Sequence, residues 1–256
     1  MKMHTYRAAV VAAAMGLIAL SPAAASDIKV LSAGAFKQVV VALAPDFEKQ
    51  TGNKVTVDNG TVGELKKRID GGEAFDIVVV TPSVVDEFVA AGKVAPNSKT
   101  MLASVGVGVV VKEGAPKPDV STVEAFKRAL LAAKSVAYID PASGGSSGIY
   151  FDKLLEKMGI ADQIKPKAKL KKGGHVADLI ASGEAELGVH QISEIVPVKG
   201  VTLVGPLPKE IQNLTVYAGG LGVAPKDKGA AQEFLKYLTG PDAARVLKSK
   251  GMDQVS

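Results

Sequence analysis

Four short stretches place glycine and small or hydroxyl-bearing residues directly ahead of segments with helical periodicity. They are Gly34-Ala35-Phe36, Asn59-Gly60-Thr61-Val62-Gly63, Ser143-Gly144-Gly145-Ser146-Ser147-Gly148 and Gly173-Gly174-His175-Val176. The first turn of a helix carries unpaired N–H groups and the positive end of the helix dipole, which makes it a ready site for an anion. Small residues let an anion approach the backbone, and Ser or Thr adds a neutral donor. One such loop alone reads as a plain turn. Four together, two in each half of the chain, point to a bound anion.

Two other chemistries compete for the same residues. Gly144-Gly145-Ser146-Ser147-Gly148 fits the G-x-S-x-G pattern of a hydrolase nucleophile elbow, and Asp178 and His190 follow in hydrolase order. Against it, Asp140-Pro141-Ala142-Ser143 separates the preceding strand from the motif, so the strained strand-to-helix turn is not expected. His175 and His190, fifteen residues apart with no cysteine in the chain, make a poor zinc set. The absence of Cys also excludes a disulfide framework, an iron–sulfur cluster and a thiol nucleophile. Lys165, Lys167, Lys169, Lys171 and Lys172 form one basic cluster, read as a solvated edge or turn. No aromatic residues are interleaved for base stacking, so no nucleic-acid partner is expected. No cofactor and no catalytic residue is expected, and the chain is read as a binding protein rather than an enzyme.

Short apolar runs alternate with amphipathic segments, the pattern of parallel strands joined by crossover helices, so the fold class is α/β. Strands are expected at 28–33, 54–58, 77–81, 105–112, 136–139, 187–190, 202–204 and 215–223. Helices are expected at 36–51, 61–71, 82–91, 123–133, 148–158, 175–182, 229–238 and 243–250. Thr122 is placed as an N-cap, Asp242 as the opening of the last helix, and Gly52, Gly92 and Gly159 as left-handed closures. The Val- and Gly-rich segments Ala103–Lys112 and Leu214–Ala224 read as strands leaving one lobe for another. That division gives lobe I as residues 26–108 and 215–256 and lobe II as 109–214, with a cleft between.

Residues 1–25 follow the secretory pattern: Lys2 and Arg7, an apolar run from Ala8 to Leu20, then Ser21-Pro22-Ala23-Ala24-Ala25. The run is too short to span a bilayer, and no Cys near the cleavage point offers a lipid attachment. A soluble periplasmic protein is expected, with 29 basic residues against 26 acids after removal of the leader. Only 5% of residues are aromatic and none is Trp, which suits a compact anion better than a sugar or nucleobase.

The stretches "IKVLSAGAFKQVVVALAPDFEKQTGNKVTV", "GTVGELKKRIDGGEAFDIVVVTP" and "PASGGSSGIYFDKLLEKMGI" resemble the periplasmic molybdate-binding components of ABC importers, a branch of the type II periplasmic binding proteins. The resemblance spans nearly the whole chain after the leader. It implies two α/β lobes, each a mixed sheet flanked by helices and joined by two crossing strands, closing on a molybdate-like oxyanion and delivering it to an inner-membrane ABC permease. A monomer is the default. The implied ligand-binding residues are Gly34 and Ala35, where the family has a hydroxyl that this chain lacks; Thr61, Val62 and Gly63; Ser146 and Ser147; and His175 and Val176. A tyrosine of the family falls near His190 and Gln191, and Lys37 adds a charge if it faces the cleft. With fewer hydroxyls and added Lys, His and Gln, the site suits a carboxylate as well as molybdate or tungstate.

Overall fold

The computed structural model describes residues 25–255; apart from Ala25, the expected leader lies outside the described residues. The elements run β1 (Asp27–Ala33), α1 (Gly34–Thr51), β2 (Lys54–Gly60), α2 (Val62–Asp70), β3 (Ile77–Val80), α3 (Pro82–Ala90), β4 (Thr100–Lys112), α4 (Val123–Ala132), β5 (Val136–Ile139) and α5 (Ser146–Lys157). They continue as α6 (Ala161–Ile164), β6 (Ala168–Lys171), α7 (Ala177–Ala181), β7 (Leu187–Gln191), α8 (Ile192–Ile195), β8 (Val201–Pro206), β9 (Leu214–Leu221), α9 (Lys228–Tyr237), α10 (Pro241–Ser249) and β10 (Met252–Gln254). The expected α/β class holds. No helix among the described residues is long and apolar enough to cross a membrane.

The strands order as β2-β1-β3-β9-β4-β7-β5-β6, with β8 and β10 also paired to β4. Each half has the parallel pairs of a βαβ unit: β1 with β2 and β3, and β5 with β6 and β7. Strands β3 and β5 are buried throughout, as continuous apolar strands covered on both faces should be. Strand β4 joins the halves. Its Thr100–Gly106 stretch pairs with β9, and Val107–Lys112 runs beside β7 and β8. The cores divide at the same place: Val105 belongs with Val30, Phe36, Phe47, Tyr217 and Phe234, whereas Val107 belongs with Phe126, Tyr138, Phe151 and Val189.

Two expectations need correction. The segment expected to cross between halves at 214–224 does not; β9 stays beside β3 and the first part of β4. The return path runs instead through residues 207–213. There the Gln212 side chain accepts from the Val107 N–H at 2.8 Å and donates to the Val107 carbonyl at 3.0 Å, filling the place of a ladder partner. The lysine cluster lies on a sheet edge, as expected: it includes the edge strand β6, and Lys165 and Lys171 are paired with acids. Its charges alternate with apolar positions, as suits a sheet edge that must not recruit another strand. The last helix opens at Pro241 with Gly240 as its N-cap, and Asp242 lies in its first turn. Thr122 does cap α4, accepting from the Ala125 N–H at 3.1 Å, and Gly52, Gly92 and Gly159 all have positive φ.

Candidate functional site

Where the C-terminal ends of β1, β2, β5 and β7 converge, the two halves of the sheet face each other across a narrow cleft, partly open to solvent, whose cavity volume is about 30 Å³. This is where open α/β sheets bind ligands. One wall is Ala33, Gly34 and Ala35 at the start of α1, with Asn59 to Val62 at the start of α2 and Tyr217 on β9. The other is Ile139, Gly145, Ser146 and Ser147 at the start of α5, with Gly173, Gly174, His190, Gln191 and Glu194. Helix α1 has 18 residues and α5 has 12; neither has a side-chain cap or an acid in its first turn. Both therefore present unsatisfied N–H groups and a positive dipole end to the cavity.

Of the residues singled out from sequence, Gly34, Ala35, Thr61, Val62, Ser146, Ser147 and Gln191 line this cavity. Gly63, His175, Val176 and Lys37 do not. Gly63 is a contact between the halves: its N–H donates to the Gly144 carbonyl at 3.2 Å, and a Cβ on Gly63 would stand 2.8 Å from Gly144 Cα. Val176 is fully buried among Val110, Ile139 and Ile180. His175 lies behind the cavity, its Nδ1 2.8 Å from the Glu194 carbonyl and its Nε2 3.4 Å from Gln38 Nε2 of α1. Those partners define the ring: Nδ1–H donates to the carbonyl and Nε2 accepts from the amide. Thr61 is the N-cap of α2, accepting from the Glu64 N–H at 3.1 Å, and its hydroxyl donates to the Ser143 carbonyl of the opposite wall. Its proton is thus spent on holding the halves together.

The group that sequence reading missed is Glu194. It sits on the four-residue helix α8, buried, 3.3 Å from His190 Nε2. Burial pushes its carboxyl up from 4.5 to about 8, and burial pushes His190 down to about 3, with His175 and Lys171 adding to the effect. With both groups neutral at pH 7, the carboxyl facing Nε2 is a polar contact rather than an ion pair. That leaves His190 with its proton on Nδ1, and Nδ1 has no partner among the described residues. Tyr217 donates its hydroxyl to Gln191 Oε1 at 3.0 Å, which fixes the amide and leaves Gln191 Nε2 as a second unpartnered donor. Buried donors without partners cost about 1–3 kcal/mol each. Here two of them, on cavity-lining side chains, are arranged for an acceptor that a ligand would bring.

The hydrolase arrangement is not assembled. Asp178 pairs with Lys171 at 3.0 Å, while His190 faces Glu194. Ser146 opens α5 after a 3-10 turn at Pro141–Ser143, without the positive φ of a strained elbow.

Comparison with known proteins agrees with this architecture. A family profile described as bacterial extracellular solute-binding protein matches residues 28–253. A Pseudomonas protein named aconitate isomerase is 34% identical over 253 residues, covering 96% of this chain and 94% of its own. The molybdate-binding protein ModA of Azotobacter vinelandii is 30% identical over 260 residues, covering 94% and 95%. The solved periplasmic molybdate-binding protein of the same organism superposes with a TM-score of 0.76 at 21% identity, covering 90% of this chain and all of that one. The isomerase corrects the expectation that the chain is not an enzyme, since a relative aligned over nearly its full length carries an enzyme's name. Fold, cavity and alignment converge: the chain belongs to the bacterial extracellular solute-binding protein family and is a ModA-like member with the type II periplasmic binding fold.

Proposed function

We propose that this chain is a secreted isomerase that encloses a small unsaturated tricarboxylate of the aconitate type between two lobes, residues 26–108 with 215–256 and residues 109–214. It interconverts the cis and trans forms by carrying a proton between two carbons. The observation that carries this reading is the Glu194 carboxyl, buried in a cavity whose backbone otherwise favours anions. A receptor for an oxyanion has no use for a second acid there, because like charges in one site raise the cost of ionising both. An enzyme that moves a proton needs one, with a pKa near the working pH.

Aconitate carries its three carboxylates on a propene skeleton, and its methylene lies between a carboxylate and the double bond. In its ionised form, the minor one at pH 7 after its proton is released to solvent, Glu194 takes a methylene proton: the C–H bond breaks, an O–H bond forms, and the electron pair spreads over the three carbons. The same carboxyl then returns the proton to the other terminal carbon, which shifts the double bond and leaves Glu194 ionised again. Because the skeleton is symmetric about its central carbon, the product is aconitate once more, with the geometry that the cavity imposes on the moved arm. The N–H groups at the starts of α1 (Gly34, Ala35) and α5 (Ser146, Ser147), together with His190 Nδ1–H and Gln191 Nε2, are assigned to the substrate carboxylates and to the charge that develops on them. His190 holds a pKa too low to serve as the base itself.

Capture of molybdate for an ABC permease is the second reading, supported by the ModA relatives and weakened by Glu194 and by the engaged hydroxyl of Thr61. Proton NMR of cis-aconitate incubated with the purified protein separates the two. The trans isomer is expected to accumulate to an equilibrium mixture, with molybdate leaving the melting temperature unchanged. No trans isomer, with a molybdate-dependent rise in melting temperature, contradicts the isomerase.

A further inference from the structure

Gly34 is the first residue of α1 and has no positive φ, so its backbone conformation is open to any L-residue. Glycine there costs up to about 1 kcal/mol of helix propensity relative to alanine. What the position gains is space. A Cβ at residue 34 would stand 2.6 Å from Glu194 Oε1, 3.4 Å from Cδ and 3.8 Å from Oε2, and these are the three nearest atoms it would meet. The missing side chain of α1 is thus filled by the carboxyl of α8, which reaches across from the other half of the sheet. Ala33 on one side and Ala35 on the other are buried and keep their methyl groups, so smallness is needed at this one point of the turn.

Resting on the isomerase reading, we propose that Gly34 is the specificity-determining position that admits a carboxylate base to the anion cavity, and that a side chain at this position converts the enzyme into a binder without turnover. The atom such a side chain meets is the far end of a flexible Glu, which swings aside more readily than the backbone shifts. Gly34→Ala therefore keeps the fold and the N–H groups of α1 while displacing the base. Shortening the acid makes room again, so the double variant Gly34→Ala/Glu194→Asp recovers part of what the single variant loses.

The test measures aconitate isomerisation for wild type, Gly34→Ala and Gly34→Ala/Glu194→Asp. Alongside it, the melting-temperature rise given by tricarballylate, the saturated tricarboxylate that cannot isomerise, reports binding. We expect Gly34→Ala to lower kcat by about 100-fold, the scale of a lost general base, with the tricarballylate shift retained, and the double variant to regain at least about fivefold. Wild-type kcat in Gly34→Ala overturns the proposal, as does a double variant no faster than the single one. A loss of the tricarballylate shift in Gly34→Ala also overturns it, because the position then serves binding rather than the base. A wild-type protein that binds tricarballylate but leaves aconitate unchanged overturns the isomerase reading, and this one with it.

Discussion

Glu194 gives the fold a pH dependence that can be measured without any substrate. The groups facing it are His190, held neutral by burial, and Tyr217, whose hydroxyl burial and Glu194 itself push up; Gln191 carries no charge, and His175 meets its backbone. The carboxyl ionises at 4.5 in the unfolded chain and at about 8 in the folded one. A raised folded value means that stability is complete below 4.5 and declines as pH rises toward about 8, because only the unfolded state gives up the proton in that window. Glu194→Gln removes the decline. Thermal melts from pH 5 to 8 should show the wild type losing about 3–4 kcal/mol more than the variant; parallel curves would contradict the buried, raised carboxyl. Little of this was legible beforehand. The sequence marked the glycines and hydroxyls because helix starts have a local signature, but in "LGVHQISEI" a single Glu between Ile residues looks like solvated polarity at a strand's end. The contact forms where strand β7 turns into α8, so His190 and Glu194 share no helical or strand period that could have marked them.

At the scale of elements, helices and strands long enough to show periodicity were readable, and short ones were not. Helices α6 and α8 have four residues each and β10 has three, too few for a pattern. Glycine also misled: Gly34 and Gly148 looked like boundaries, so α1 and α5 were expected to begin two residues late, at Phe36 and Gly148 instead of Gly34 and Ser146. Both errors fall on the turns that line the cavity, where sequence departs from ordinary helix preference for the sake of the site. The crossing at 207–213 was missed for a different reason, since Gln212 replaces strand pairing with side-chain bonds that leave no periodic trace. Gln212→Leu strands the Val107 N–H where the two cores meet, while the Val107 carbonyl keeps the Leu207 N–H. Denaturant unfolding should show a loss of about 1–3 kcal/mol; a change below about 0.5 kcal/mol, the size of an ordinary surface substitution, would mean that Gln212 is no tie.

At the scale of the whole molecule, this chain aligns over nearly its full length with relatives named for two different tasks. Uncapped helix starts facing each other across a cleft make an anion trap, and the solved protein named for molybdate shares the fold that builds it. In this chain a carboxyl enters the trap beside a glycine, with a neutral His and a fixed Gln around it. Function then follows from the site and not from the fold, and the site argues for proton transfer at carbon. The measurement that tests this most directly compares wild type with Glu194→Gln, following the conversion of cis- to trans-aconitate by proton NMR while the tricarballylate-dependent rise in melting temperature is recorded for both. The wild type should convert the substrate, and the variant, still binding tricarballylate, should do so at least about 100-fold more slowly. Equal rates in the two proteins, or a wild type that binds without converting, would contradict proton transfer by Glu194.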